Sequence, residues 1–382
     1  MGCQVCRGKE PEAQLDVLSN RDPKNSNHIL IEPGKDSTLQ EEHLNFIKQF
    51  EDKLQYIGKY LSTKEFDSVI PENARKQMTE NTLEMKENIN NTKNFEIKPI
   101  EFPNGNIYQG GWNEKFQMEG YGKYYLKDDK VLAEGFWESG ELKYARVFLP
   151  NGDIYEGEIK ESKFHGKGKL KTPEGAIYEG DFLDGQKTGW AKIIFEDKTV
   201  YEGGVEKGLF NGKGEMKWVN GTEYSGNFSG STFNGNGKLT NQNGESYEGN
   251  FDNNLFHGMG KYTYNNGDSY YGNFEYGLKK GRGIYNVNDK YSYDGDWNND
   301  LPNGYGKIKA GDNILKSTWR NGKMAEYPNY EQGNAEDFRN IDYTNFMPKE
   351  MTLVTKDLPH LEKTDIKSSL YRLGSVPSFF NE

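Results

Sequence analysis

The chain is 382 residues long, with 45 glycines, 14% aromatic residues, only 33% hydrophobic residues and a net charge of −11. That charge excludes an electrostatic nucleic-acid binder, which needs a basic face, and no apolar run reaches the roughly 18 residues of a membrane span. Little Leu and Val beside many Gly, Tyr and Phe points to a turn-rich, mainly β architecture in which rings supply the buried area.

Residues 1–36 are polar and aperiodic and read as a flexible leader. Both cysteines of the chain, Cys3 and Cys6, lie in it. A redox Cys-x-x-Cys needs a βαβ frame and a helix N-terminus, and zinc needs four ligands; the leader offers neither. A Met-Gly start allows acylation of the Gly2 amine. MGCQVCRGKE resembles the N-termini of Src-family tyrosine kinases, which begin Met-Gly-Cys-x-x-Cys with a basic residue next. Over these ten residues the resemblance implies myristoylation of Gly2 and palmitoylation of Cys3 and Cys6, although Cys6 stands where the usual pattern has Ser or Thr. One myristoyl chain binds a bilayer only marginally, with a constant of about 10⁴ M⁻¹, so a second signal is needed. Arg7 and Lys9 are offset by Glu10, Glu12 and Asp16, which leaves cysteine acylation to supply it.

Residues 37–98 read as a helical segment. Leu39, His43, Phe46, Phe50, Leu54, Ile57 and Leu61 step by three and four, the spacing of an amphipathic helix, and Thr38 with Glu41 forms a capping-box pattern at its start. A weaker helix is predicted from Glu72 to Ile89. These helices have three open uses: packing on an apolar face of the region after residue 103, a coiled coil with a partner or a second copy, or lying on a membrane.

From there a ruler runs along the chain. Tyr-x-Gly recurs at Tyr155–Gly157, Tyr178–Gly180, Tyr201–Gly203, Tyr224–Gly226, Tyr247–Gly249, Tyr270–Gly272 and Tyr293–Gly295, always 23 residues apart. Four residues after each Tyr comes an apolar residue, such as Phe182, Phe228 or Trp297. Paired glycines follow at eleven and thirteen, as at Gly258 and Gly260, with Ala191 replacing the second in one unit; another apolar residue stands at fifteen. Like-parity offsets share a strand face, so each unit reads as a β-hairpin whose glycines leave room for rings.

These residues resemble the MORN repeat, Tyr-x-Gly-x-aromatic followed by Gly-x-Gly about a dozen positions later. Tyr108, Gly110 and Trp112 start an earlier unit with one extra residue, Ala133, Gly135 and Trp137 a degenerate one, and Leu315, Ser317 and Trp319 a truncated last one. The array so defined covers residues 103–325. The resemblance implies an elongated single-sheet array of about ten MORN hairpins, with rings along one face and an advance of about 10 Å per unit, hence roughly 100 Å for ten. The tail, 326–382, has no repeats and reads as an extended segment, running back along the array or binding a partner.

Chemistry is not legible in these units. Gly-Lys pairs such as Gly166-Lys167 lack the Ser or Thr of a phosphate loop. His165 and His257 are 92 residues apart, four units, too far to share a metal. No catalytic residue, metal or cofactor is expected. Glu156, Glu179, Glu202 and Glu248 fall on the face opposite the rings. Residues 108–322 hold 27 Lys and Arg against 31 Asp and Glu, which argues against direct phospholipid binding by the repeats. The expectation is a non-enzymatic scaffold, anchored to a membrane by its acyl chains and organising protein partners there or at the cortical cytoskeleton. The rival is a soluble structural subunit of a large cytoskeletal assembly, such as a ciliary axoneme or radial spoke, where MORN proteins also occur.

Overall fold

The computed structural model describes residues 58–72, 74–75, 95–96, 98–288, 290–325, 329–346, 351 and 358, all inside the unit Phe50–Glu382. Gly2, Cys3, Cys6 and most of the amphipathic pattern from Leu39 to Leu61 lie outside them. The described residues form one 24-stranded antiparallel sheet. Its strands are β1 (Lys59–Tyr60), β2 (Phe95–Glu96), β3 (Ile100–Glu101), β4 (Ile107–Trp112), β5 (Met118–Leu126), β6 (Val131–Glu138), β7 (Glu141–Phe148), β8 (Ile154–Lys160), β9 (Lys163–Lys171), β10 (Ile177–Leu183), β11 (Gln186–Ile194) and β12 (Val200–Glu206). They continue with β13 (Leu209–Lys217), β14 (Glu223–Ser229), β15 (Thr232–Thr240), β16 (Ser246–Asp252), β17 (Leu255–Thr263), β18 (Ser269–Glu275), β19 (Leu278–Val287), β20 (Tyr291–Asn298), β21 (Leu301–Ala310), β22 (Asn313–Arg320), β23 (Lys323–Met324) and β24 (Asn329–Gln332). From β4 to β22 each strand pairs with the next in chain order.

Each unit is a hairpin because its turn has the right hand. In β8–β9, Lys160 pairs with Lys163, so Glu161 and Ser162 alone make the turn, with φ of 49° and 60°. Positive φ at both positions defines the turn whose twist matches that of the flanking strands. Asp184–Gly185, Lys207–Gly208, Asn253–Asn254 and Tyr276–Gly277 repeat it. From Asp184–Gly185 onward these turns also grip the preceding unit: the amide of Gly208 donates to the carbonyl of Lys187, and that of Asn254 to Phe233.

The pairing register shifts between Gly157 and Ile159, and at the corresponding place in the following hairpins. Such bulges bend a strand and increase its twist. On the opposing strand the first glycine of each pair, Gly166 or Gly258 for example, has positive φ.

At the N-terminal end, Lys59 and Tyr60 are strand β1, paired with β3, and do not continue the helix the apolar spacing predicts to Leu61. Gly58 explains the change: it is a poor helix former, and a Cβ there would collide with the Glu101 carbonyl. Helix α1 (Thr63–Val69) follows, opened by Ser62, whose Oγ accepts from the Glu65 amide at 3.2 Å. Its Phe66 is buried with Leu61, Ile70 and Ala74 against Ile107, Tyr125, Leu132 and Phe148. Glu72, Ala74 and Arg75 are helical; the rest of the second predicted helix lies outside the described residues. At the other end, β24 pairs with β22. Helix α2 (Ala335–Phe338) and a 3₁₀ turn (Tyr343–Phe346) then bring Phe346 onto the rings of Tyr291 and Tyr293, at 5.6 and 5.7 Å.

Candidate interaction surface

On the ring face each repeat tyrosine is a strut. The hydroxyl donates to the carbonyl three residues on, beside the bulge: Tyr108 to Gly111, Tyr155 to Glu158, Tyr178 to Asp181, Tyr201 to Gly204, Tyr224 to Asn227, Tyr247 to Asn250, Tyr270 to Asn273 and Tyr293 to Asp296, at 2.7 to 3.2 Å. The tyrosine lies against the backbone of glycines on both strands. Gly110, Gly157, Gly203, Gly226, Gly249, Gly272 and Gly295 sit beneath their own unit's hydroxyl, whereas Gly180 faces Ala191. A Cβ on Gly157 would stand 2.5 Å from Tyr155 Oη, and one on Gly168 2.5 Å from its Cε2. Burial, the leading cause, raises the pKa of these phenols far above the ordinary range, so these hydroxyls stay neutral through physiological pH.

A further position escaped the sequence reading. Nine residues after Tyr155, Tyr201, Tyr224 and Tyr247 come Phe164, Phe210, Phe233 and Phe256, which stack on those rings at 3.7 to 3.9 Å. The neighbouring aromatics meet the same tyrosine edge-on, as Phe251 and Phe274 do at Tyr247. Two units carry lysine instead. Lys187 Nζ lies 5.1 Å from the Tyr178 ring centre. Lys279 Nζ donates to Tyr264 Oη at 2.5 Å and lies 5.5 Å from the Tyr270 ring. The recurring Phe was visible; Lys in two units and Pro302 in a third concealed it.

The opposite, outer face carries a charge ladder. Glu156, Lys169, Glu179, Lys192 and Glu202 are successive cross-strand partners. Lys169 pairs with Glu179 at 3.6 Å, and Lys192 with Glu202 and Lys238 with Glu248 at 4.0 Å. Exposed pairs of this kind contribute about 0–1 kcal/mol each, so the ladder does little to hold the sheet together. Apolar side chains interrupt it. Trp190 is 54% exposed, and Met259, Tyr271, Ile284 and Tyr305 form a second exposed set. Around Trp190 the outer face hollows into a groove of about 1040 Å³, lined also by Tyr144, Arg146, Phe148, Ile154 and Lys192.

At one end of this groove a buried carboxylate holds Arg146. Glu134 is fully buried on the outer side; Tyr121 donates to its Oε2 at 3.3 Å, and Arg146 Nη1 lies 3.7 Å from Oε1. Burial raises the Glu134 pKa, opposed by the charges of Lys123 and Arg146. Arg146 also donates from Nε and Nη2 to Glu156 Oε2, at 3.2 and 3.0 Å. Among the described residues no three His, Cys, Asp or Glu side chains gather as metal ligands, and no helix is long and apolar enough to cross a membrane.

Six segments match the family model of the MORN repeat: residues 155–177, 178–199, 201–223, 224–246, 247–269 and 293–313. The chain thus carries MORN repeats, a non-catalytic repeat type. No curated protein matches it. Among solved structures it is similar to a mutant TCP10 domain of Danio rerio CPAP, at 15% identity over 52% of this chain and 94% of that one, with a TM-score of 0.32. It is also similar to the SAS-4 TCP domain of Drosophila melanogaster in complex with a proline-rich motif of Ana2, at 16% identity over 42% and 94%, with a TM-score of 0.27.

Proposed function

We propose that this MORN array belongs to a non-enzymatic scaffold, held to a membrane by acyl chains on Gly2, Cys3 and Cys6, whose outer face organises protein partners at that membrane or the cortical cytoskeleton. The observation that supports a scaffold is the division of labour between the two faces. The ring face is consumed by its own packing. The outer face is repetitive and accessible, and its exposed Trp190 and Tyr271 are the residue types that anchor protein interfaces. The array's slight excess of acidic residues gives it no attraction to an anionic leaflet, which supports giving the membrane contact to the acyl chains in this reading. Two chains, or a chain on Gly2 and one on either cysteine, are enough for stable anchoring.

Membrane flotation of the wild type beside Gly2→Ala and a Cys3→Ser/Cys6→Ser pair tests the anchor. The wild type is expected to float and both variants to remain in the soluble fraction. Equal partitioning of all three removes the anchor, and recovery of all three in a detergent-resistant cytoskeletal pellet favours the structural-subunit reading in its place.

A further inference from the structure

Lys187 and Lys279 are buried, 5% and 1% exposed, on a face otherwise built of rings. Each has a buried carboxylate 34 positions earlier: Asp153 precedes Lys187 by the same 34 residues by which Glu245 precedes Lys279. Asp153 sits in the turn before β8, one unit back from β11, and its charge acts on Lys187. Glu245 occupies the matching turn before β16; it accepts from Tyr262 Oη at 2.7 Å, and its charge reaches Tyr264, the acceptor for Lys279. At Phe210, Phe233 and Phe256, which hold the lysine place in three consecutive units, the residue 34 positions back is small and uncharged: Ala176, Thr199 and Thr222. Cation and acid are therefore present together or replaced together at these five junctions; at the next, where Pro302 holds the lysine place, the buried Asp268 34 positions back accepts from Tyr285 Oη at 3.2 Å instead.

An array of like units has a specific hazard. If one unit loops out, the next presents the same Tyr, Gly and Phe to the same neighbours, and the strand register alone does not oppose the error. We infer that the buried Lys187–Asp153 and Lys279–Glu245 pairs are register marks that lock the unit junctions they span against such a skip. Looping out the unit of Tyr178 places Phe210 opposite Asp153, and looping out that of Tyr247 places Lys279 opposite Thr222. Either mispairing buries a charge without its partner, which disfavours the skipped state by about a hundredfold or more. A buried polar residue that fixes register in this way is known from coiled coils.

The test uses the full-length chain carrying K187F and D153T, which makes this junction like those that follow it. After denaturation and refolding, hydrogen exchange read by mass spectrometry reports each unit. The wild type is expected to give one protected population over residues 177–199 and 247–287, the units that the two pairs guard. The double variant is expected to give two over residues 177–199, one protected and one exchanging freely, while residues 247–287 stay single. Adding A176D and F210K moves the pair one junction on. A skip of the same unit would then strand the relocated lysine opposite the threonine that D153T introduces, so a single population should return. A single population in the double variant overturns the inference, as does failure of the relocated pair to restore one. If the double variant does not refold, the relocated pair decides: refolding to one population supports the lock, and failure to refold overturns it.

Discussion

Gly258 and Gly260 stand two residues apart on β17 and are glycine for different reasons. Gly258 has φ of 59° and only Asn250 near its missing Cβ, at 3.6 Å or more. A Cβ on Gly260 would come within 2.5 Å of Tyr247 Cε2, although its φ is ordinary. Gly258→Ala should cost about 1–2 kcal/mol, and Gly258→Asn less, because Asn tolerates the left-handed region. Gly260→Val must displace the ring and should cost about 1–3 kcal/mol or more, with Gly260→Asn no better than Gly260→Ala. Urea denaturation of these variants checks the order; if Asn rescues both positions alike, the ring contact is not what excludes a side chain at Gly260. Lys187 supplies a pH signature. Burial, opposed by the charge of Asp153, lowers its pKa to about 7, against about 10.4 for an unfolded lysine. Below pH 7 the amine is protonated in both states and the buried ammonium counts fully against the fold. Above the unfolded value it is neutral in both and the penalty is gone. Stability should therefore rise between pH 7 and 9, with a slope approaching about 1.4 kcal/mol per pH unit, and Lys187→Met should flatten that rise. An unchanged slope in the variant would assign the effect to other groups.

The hairpin is the element at which sequence and structure agree most and where their differences are most informative. Period 23 located each strand pair because Tyr, Gly and the ring at offset four share a face and vary little. The turns were legible only as Gly and Asn richness: Glu161–Ser162 adopts the same positive-φ turn with no glycine, held by the strands beside it. The phenylalanine at offset nine was concealed by Lys187, Lys279 and Pro302. At β1, periodicity carried the predicted helix past Gly58, where the backbone of β3 comes too close for any side chain. The outer groove left no local mark, since it joins Tyr144, Arg146 and Trp190 across several strands. Turn chemistry yields a prediction in which two rules oppose each other. Asn254 has φ of 70°, so Gly should suit it better. Its Oδ1, however, accepts from the Phe233 amide of the preceding unit at 2.7 Å, and a buried amide left without that acceptor costs about 1–3 kcal/mol. Asn254→Gly should destabilise, and Asn254→Asp should retain most of the stability. A glycine variant more stable than the wild type would mean that the turn's conformation outweighs its grip on the neighbouring unit.

For the sheet as a whole, strands from β4 to β22 pair in chain order, so what happens at one end reaches the other only through every intervening unit. That makes the C-terminal closure a test of cooperativity. Phe346 is buried against Tyr291, Tyr293 and Trp319, and Asn345 Nδ2 donates to Tyr291 Oη at 2.7 Å. Without it the rings of β20 and β22 lose that cover, since among the described residues no further repeat hairpin follows β22. Phe346→Ala should cost about 3–5 kcal/mol locally, the usual penalty for emptying a buried phenylalanine site. In a quasi-one-dimensional array that cost falls on the last units. Hydrogen exchange should therefore show lost protection over residues 291–320 and unchanged protection over 155–263. The transition should broaden as the end frays ahead of the interior. If residues 155–263 lose protection to the same extent as 291–320, the units are coupled far more tightly than nearest-neighbour pairing allows, and the sheet must be treated as one cooperative body.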